Sequence, residues 1–301
     1  MALSAGVLWK FSRPHTIYGT AISLIGIYIV ALAYLGFASF HNLGDLFLAE
    51  LSCLCANIYI VGLNQIVDVE IDRINKPDLP MASGELSRSE AIGVVNVLLV
   101  VALGVALWLN PYLFATVLSS VLIGTAYSLP PFRLKRFPLF ASLCIFTVRG
   151  LIVNLGIFWY FLDRAGKGTQ LTPAILSLCL FVTVFTFVIA LFKDIPDMTG
   201  DQQFNISTFS LKLGKQFVYN LCCAVLVANY LLILGICAVF ASQGTFIFLS
   251  AFHSVLLGVF FWRQQKVDIK VDQQVYDFYL FIWKLYYIEY LVFPLAWLWF
   301  V

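Results

Sequence analysis

The sequence predicts an all-α integral membrane protein whose single domain, residues 1–301, contains nine transmembrane helices. Hydrophobic residues make up 61% of the chain and charged residues 11%, and the mean hydropathy is +0.93, whereas soluble domains carry about 25% charged residues. The apolar residues form long runs rather than amphipathic stripes. Because unpaired backbone groups are not tolerated in hydrocarbon, runs of roughly 20 apolar residues predict membrane-spanning helices rather than a barrel.

The nine predicted spans follow one another along the whole chain, and each is about as long as a bilayer core requires. They cover approximately residues 16–36, 47–66, 91–109, 112–129, 138–161, 172–192, 217–240, 246–262 and 278–300. Fourteen of the eighteen Lys and Arg residues fall on the side that holds the N-terminus and the even-to-odd loops. The positive-inside rule therefore predicts that this side is cytoplasmic.

The second span ends in a cluster of polar side chains at helical spacing, Asn64, Asp68 and Asp72, within the segment NQIVDVEIDRINKPDLPMASGELS. Residues four apart lie on one side of an α-helix, so these side chains should project from a single face. Carboxylates placed together repel one another unless a cation joins them. Asp68 and Asp72, with Asn64 as a neutral oxygen ligand or a hydrogen-bond partner, therefore predict a Mg²⁺ site that an anionic substrate completes.

A second acidic cluster follows the sixth span, in the segment KDIPDMTGDQQFNISTFSLKLG, and consists of Asp194, Asp197 and Asp201. Pro196 and Gly200 should break or loosen the helix there. Irregular backbone at membrane depth is tolerated where it lines a cavity. Because both clusters lie on the predicted cytoplasmic side, we expect one composite site built from the loops 67–90 and 193–216, which are longer than helix connections need.

The overall charge and the cysteines exclude other classes of function. The net charge is only +2, which is too small to predict nucleic-acid binding. The seven cysteines fall in apolar spans without paired metal-ligand spacing, so we interpret them as ordinary small core residues. No cofactor other than Mg²⁺ is predicted.

These motifs resemble the intramembrane aromatic prenyltransferases of the UbiA superfamily over essentially the whole chain. The family's signatures are roughly NDxxDxxxD and DxxDxxxD with a preceding Lys. This chain has Gln65 in place of the commoner Asp of the first signature. That variant, followed by NKPDLPMASGE, resembles the homogentisate prenyltransferase branch, and its cyanobacterial members in particular. SRPHT, AYSLPPFRLKRFP, KDIPDMTGD and FIWKLYYIEY add to the similarity.

The resemblance implies a fold and a reaction. Nine helices would surround a central cavity that opens to the lipid, in a cyanobacterial thylakoid or plasma membrane. Phytyl diphosphate would donate its phytyl group to homogentisate, with decarboxylation, on the route to tocopherol. Mg²⁺ would bridge the diphosphate to Asp68 and Asp72 on one side and to Asp194, Asp197 and Asp201 on the other. The loss of Asp at position 65 would remove one potential ligand.

The resemblance also directs attention to the cations near the site. Candidate diphosphate-binding side chains are Asn64, Arg133, Lys135, Lys193 and Lys212, and candidate partners for the acceptor carboxylate are Arg13, His15 and Arg149. Other interpretations of several of these residues stay open. Arg133 and Lys135 could be positive-inside anchors, His15 could be a structural hydrogen-bonding group, and Arg149 could serve helix packing, although a charge within a span is expensive and usually functional.

Three hypotheses of function remain. The first is phytyl transfer to homogentisate. The second keeps the reaction type but transfers a solanesyl or geranylgeranyl chain, or uses another aromatic acceptor. The third, of a different class, is a membrane transporter with paired carboxylate cation sites, which would need polar residues through the membrane depth.

Overall fold

A computed structural model describes residues 4–36 and 43–300, and within these residues it is helical without any strand. Nine helical segments in this part of the chain are long and apolar enough to cross a membrane. They are α2 (Pro14–Leu35), α3 (Leu43–Val67), α6 (Arg88–Leu109), α7 (Pro111–Ser128), the segment Pro138–Arg164, α10 (Pro173–Phe192), α13 (Lys215–Phe240), α14 (Gln243–Gln264) and α15 (Asp272–Trp299). The predicted number of spans is confirmed.

The fifth span is not one regular helix. It consists of α8 (Pro138–Phe146), a π-helical segment (Thr147–Ile152) and α9 (Val153–Arg164). A π-helical turn departs from the hydrogen-bonding pattern of an α-helix, in which each N–H donates to the carbonyl four residues earlier, and it often marks a functional position.

The short helices lie in the polar connections. They are α1 (Ala5–Phe11) before the first span, α4 (Val69–Asn75) and α5 (Pro80–Ser83) after the second, and α11 (Met198–Gln203) and α12 (Phe209–Leu213) after the sixth. A 3₁₀ turn (Leu134–Arg136) precedes the fifth span. The helices α4, α5, α11 and α12 cover the end of the bundle that carries the two aspartate clusters.

Several spans begin at a proline, whose fixed φ suits the first turn of a helix and whose missing N–H would be unpaired there anyway. Pro14, Pro111, Pro138 and Pro173 start α2, α7, α8 and α10. The Asn110 side chain caps α7 by accepting a hydrogen bond of 2.7 Å from the Tyr112 N–H. These local signals explain why the spans begin where they do.

Glycines allow the spans to pack closely at three crossings. A Cβ on Gly26 of α2 would clash with the Tyr290 carbonyl oxygen of α15, and one on Gly156 of α9 would clash with Thr116 Oγ1 of α7. A Cβ on Gly150 would likewise clash with Thr183 of α10. Such small-residue contacts let helix backbones approach within a membrane.

Candidate active site

The two aspartate clusters face each other across one open mouth at the end of the bundle. The mouth has a volume of about 790 Å³, and its lining includes Asp68, Asp72, Asp194, Asp197 and Asp201. The sequence-based expectation of one composite site is therefore met by the geometry, since loops 126 residues apart in the chain supply its two walls.

The first cluster keeps a common face even though the helix breaks within it. Helix α3 ends at Val67 and α4 begins at Val69, yet the Asp68 N–H donates to the Asn64 carbonyl at 3.0 Å and the Asp72 N–H donates to the Asp68 carbonyl at 2.8 Å. The four-residue hydrogen-bonding pattern therefore continues through the break. The Asn64 side-chain amide donates to Asp68 Oδ2 at 2.7 Å, so Asn64 orients the carboxylate of Asp68.

Gln65 lies outside the mouth. Its side chain is fully buried, and its amide donates a hydrogen bond of 2.7 Å to the Phe11 carbonyl at the end of α1. Position 65 therefore fastens α1 to α3. The Gln65 side chain is turned toward Phe11 and supplies no ligand to the mouth. The implied loss of an Asp ligand at this position stays a prediction.

Two cations converge on Asp68 from the connection before the fifth span. Lys135 forms an ion pair with Asp68 Oδ2, and Arg133 Nη2 lies 3.3 Å from Asp68 Oδ1. Arg133 has a left-handed backbone conformation, with φ at 38°, immediately before the 3₁₀ turn. Burial lowers the pKa of Lys135, and the neighbouring Asp68 opposes that shift. Both cations therefore contact the first aspartate cluster, and Lys135 also lines the mouth.

The second cluster lies where the sixth span ends. Helix α10 stops at Phe192 and α11 starts at Met198, so the break predicted around Pro196 is confirmed. Gly200, however, lies inside α11, where a Cβ would come within 2.5 Å of Asn75 Oδ1. Its small size serves a close contact rather than a break in the helix.

Lys193 joins this cluster to the cavity wall. Its Nζ atom lies 3.3 Å from Asp194 Oδ1 and donates to the Tyr127 hydroxyl at 2.9 Å. Tyr127 belongs to α7, so the contact also links two spans.

Asn75 and Lys76 tie the two loops together, and the sequence analysis assigned neither a role. Lys76 Nζ lies 2.5 Å from Asp197 Oδ2. The Asn75 side chain donates to the Asp197 carbonyl and accepts from the Gly200 N–H, both at 2.9 Å. Asn75 and Lys76 lie three and four positions after Asp72, in the NKP segment of the quoted motif. That segment was the signal in the sequence that could have found them.

Three of the five carboxyl groups have raised pKa values. Burial is the main cause at Asp72 and Asp194, and at Asp201 burial together with Asp197 and Asp194 raises the pKa to about 7. Crowded, desolvated carboxylates hold protons unless a cation replaces them. The set of hard oxygen donors therefore fits a divalent cation.

In the described part of the chain, no three acidic, histidine or cysteine side chains converge closely enough to hold an ion on their own. Mg²⁺ commonly binds through one or two carboxylates and takes its remaining oxygen ligands from water and substrate phosphates. The arrangement of the two clusters therefore fits a metal that arrives together with a phosphate group.

Behind the mouth, a second cavity of about 250 Å³ extends into the bundle. Asn64, Tyr127 and Lys193 line both spaces. The walls of the inner cavity come from α2, α3, α7, α10, α15 and the π-helical segment with its flanks. The aromatic side chains Trp283 and Tyr286 line it on one side.

Arg149 projects into this inner cavity from the π-helical segment. Its guanidinium lies 5.2 Å from the centre of the Trp283 ring. No carboxylate among the described residues lies within ion-pair distance of Arg149. The alternative interpretation is that an acidic residue pairs with Arg149 to fix helix packing. This part of the chain holds no such residue within ion-pair distance.

A hydrogen-bond chain holds the segment that carries Arg149. The Asn154 amide donates to the Arg149 carbonyl at 2.8 Å and to the Gly150 carbonyl at 2.9 Å, and the Tyr290 hydroxyl donates to Asn154 Oδ1 at 2.8 Å. Asn154 is fully buried. It satisfies carbonyls in the irregular segment and so fixes the direction of Arg149.

The other two candidate acceptor-binding residues differ in position. Arg13 Nη2 lies 3.7 Å from Asp72 Oδ2, which places Arg13 among the aspartates. The His15 ring packs edge-on against Trp283 at 5.4 Å, and the His15 carbonyl accepts a hydrogen bond of 2.6 Å from the Tyr287 hydroxyl. Both residues line the cavity walls.

Lys212 is not brought into the site. It lies on α12 with an exposed side chain, and it lines neither the mouth nor the inner cavity. The segment around it folds on the outside of the mouth, so the proximity in sequence that suggested Lys212 does not become proximity in space.

The chain matches known proteins over nearly its whole length. It is 46% identical to a homogentisate phytyltransferase from Synechocystis sp., over 96% of this chain and 94% of that protein, and 36% identical to the chloroplastic homogentisate solanesyltransferase of Arabidopsis thaliana, over 95% and 75%. A solved UbiA homologue from Archaeoglobus fulgidus, bound to GPP and Mg²⁺, has the same fold, with a TM-score of 0.63 at 17% identity over 97% of this chain and 99% of that chain. The profile of the UbiA prenyltransferase family matches residues 22–285, and the chain belongs to this family.

Proposed function

We propose that this protein transfers a phytyl group from phytyl diphosphate to homogentisate with loss of the acceptor's carboxylate, in a Mg²⁺-dependent reaction that yields 2-methyl-6-phytyl-benzoquinol. The observation that carries the proposal is the placement of Arg149, a cation with no carboxylate partner among the described residues, inside an aromatic cavity directly behind the acidic mouth. The similarity to a homogentisate phytyltransferase supports the choice of substrates.

The diphosphate would lie in the mouth. Asp68, Asp72, Asp194, Asp197 and Asp201 would hold Mg²⁺, with Asn64 orienting Asp68. When bound, the metal stabilises the negative charge that grows on the departing diphosphate. The side chains of Arg133, Lys135 and Lys193 would contact the diphosphate and stabilise the same charge.

The bond between the allylic carbon and the diphosphate oxygen breaks in the first step, and the electron pair leaves with the diphosphate. The resulting carbocation must meet the aromatic ring before it meets water. Trp283, Tyr279 and Tyr286 form an aromatic wall beside the inner cavity. Such a wall excludes water, and its π faces stabilise a nearby positive charge.

Arg149 would hold the homogentisate carboxylate. Charge-assisted pairing between a guanidinium and a carboxylate is strong and directional, and it gains strength away from water. The ring carbon ortho to a hydroxyl then forms the new bond and loses a proton. Loss of the carboxylate as CO₂ leaves a carbanion that takes up one proton, so the transfer and the decarboxylation balance without a redox partner.

The mouth would open to the cytoplasm. It lies on the side that carries most of the Lys and Arg residues, which the positive-inside rule assigns to the cytoplasm. The membrane itself would be the thylakoid or plasma membrane, as the similarity to a cyanobacterial relative suggests.

A longer or more unsaturated donor is the second candidate, favoured by the similarity to a solanesyltransferase at 36% identity. The test is product analysis with purified protein, Mg²⁺, labelled homogentisate and competing phytyl, geranylgeranyl and solanesyl diphosphates. A decarboxylated phytyl quinol that disappears with EDTA is expected. Turnover only with another aromatic acceptor would refute the assigned acceptor, and Mg²⁺ uptake into vesicles without any product would favour the transporter hypothesis.

A further inference from the structure

Gln65 makes a buried contact that the proposed function does not use. Its side chain is fully buried, and its amide nitrogen donates to the Phe11 carbonyl at 2.7 Å. A helix leaves its last carbonyls without backbone partners, and Phe11 is the last residue of α1. Because a carbonyl can only accept a hydrogen bond, the side chain at position 65 must be a donor to keep this contact.

The contact lies at the turn between α1 and α2, whose backbone is strained. Arg13 in this turn has a φ of 52°, in the left-handed region. A residue other than glycine keeps such a conformation only where the surrounding contacts determine it. Helix α3 supplies further contacts on both sides of the turn. A Cβ on Gly62 would clash with the Phe11 ring, and the Asn57 amide donates to Thr16 Oγ1 at 2.9 Å.

The turn presents Arg13 where the mouth and the inner cavity meet, because Arg13 lines both spaces. Its ion pair with Asp72, at 3.7 Å, is too long for a hydrogen bond. The Arg13 Nε atom is buried and has no hydrogen-bond partner among the described residues. A guanidinium with donors to spare binds phosphate oxygens strongly. The position of this turn therefore decides whether Arg13 can contact an anion in the mouth.

We propose that Gln65 is a positioning residue, which fixes the turn between α1 and α2 through the Phe11 carbonyl and so places the Arg13 guanidinium against the diphosphate of the donor. This inference rests on the proposed function, because it takes the mouth to bind a prenyl diphosphate. An Asp at position 65, the commoner residue in the family signature, would be shorter and, when ionised, could not donate to a carbonyl. Gln65→Asp should therefore weaken diphosphate binding rather than add a metal ligand.

The test measures binding without an acceptor. The full-length protein in detergent with Mg²⁺ is titrated with geranyl S-thiolodiphosphate, an analogue that ionises very slowly. The variants are Gln65→Met, which removes the amide at similar volume, Gln65→Asp, Arg13→Gln, and the double variant that combines Arg13→Gln with Gln65→Met. Asn229→Leu is the matched control. Asn229 also donates a buried hydrogen bond to a carbonyl of another helix, that of Phe181 at 2.9 Å, and it lines neither cavity.

We expect each single variant at positions 13 and 65 to bind the analogue about tenfold more weakly. Asn229→Leu should leave binding unchanged, although its unfolding temperature should fall about as much as that of Gln65→Met. Because Gln65 acts through Arg13, the double variant should bind like Arg13→Gln alone.

Three results would overturn the proposal: additive losses in the double variant, unchanged binding in Arg13→Gln or in Gln65→Met, or tighter binding in Gln65→Asp. If Gln65→Met does not fold, Gln65→Asn repeats the test, since it keeps a polar amide but withdraws it by one methylene. Failure of the proposed function would appear in the unsubstituted protein instead, either as no binding of the analogue or as binding without any product from homogentisate.

Discussion

Replacing Arg149 with Leu separates acceptor binding from helix packing. The guanidinium has no acidic partner among the described residues, so its removal leaves no carboxylate unpaired in the bundle. The loss of the cation–π contact with Trp283 costs about 0.5–2 kcal/mol, and the removal of an unpaired charge from a membrane-embedded cavity offsets that cost. The free energy of unfolding should therefore change little.

The effect on the acceptor should be much larger. A hydrogen bond to a charged group contributes about 1.5–3 kcal/mol, and each 1.4 kcal/mol corresponds to a factor of ten. We therefore expect KM for homogentisate to rise roughly 10- to 150-fold, while KM for phytyl diphosphate stays the same because the diphosphate contacts lie in the mouth.

The assay is steady-state kinetics with each substrate varied in turn, together with thermal unfolding of the same preparation. Arg149→Lys is the matched control, since it keeps the charge but loses the planar fork, and it should recover part of the homogentisate affinity. If Arg149→Leu lowers the unfolding temperature and raises both KM values in parallel, Arg149 serves packing and the reasoning is refuted.

Three further predictions concern the mouth and the π-helical segment. Asp68→Ala should abolish turnover and also destabilise the fold by roughly 3–5 kcal/mol, because Lys135 loses its buried counter-ion. Adding Lys135→Met to this variant should restore the unfolding temperature but not the activity. An unchanged melting curve in the single variant would contradict this prediction. The pKa of Asp201 is raised to about 7, so the metal-free folded protein should be more stable at pH 5, where this carboxyl group is protonated, than at pH 8. Mg²⁺ affinity measured by titration should weaken as the pH falls below about 7. A Mg²⁺ affinity that does not change between pH 6 and 8 would argue against Asp201 as a ligand. Asn154→Leu should raise KM for homogentisate in the same way as Arg149→Leu, with donor affinity retained, and Tyr290→Phe should do so more weakly; equal loss of both substrates would indicate a general packing defect.

The helical fold could be predicted from the sequence because the lipid bilayer allows few backbone structures. A chain with long apolar runs has few ways to satisfy its backbone in a bilayer, so counting the runs gave the number of spans. The two aspartate clusters were predictable for a related reason. Asn64, Asp68 and Asp72 keep their four-residue hydrogen bonds across the helix break, so helical spacing placed them on one face.

The remaining parts of the site depend on contacts between distant segments. Lys76 reaches Asp197 only because α4 and α11 fold against each other, and Lys193 reaches Tyr127 only because the bundle brings the ends of α10 and α7 together at the mouth. The π-helical segment that presents Arg149 depends on a contact that is distant in the chain, because Tyr290 of α15 holds the Asn154 side chain that bonds to its carbonyls. Lys212 illustrates the opposite error, since a cation close in sequence to an aspartate cluster lies outside the mouth.

The charge of the mouth explains why its chemistry should depend on a divalent cation. Among the described residues that line the mouth there are seven aspartates but only five lysines and arginines. An allylic diphosphate, which is itself an anion, would be repelled by such a lining unless cations entered with it. The homogentisate carboxylate would meet the opposite situation, because the described residues that line the inner cavity include Arg149 and no acid. Under the proposed function, the two anionic substrates would be directed to different ends of one continuous space, and the allylic carbon would lie between them, where the aromatic wall begins.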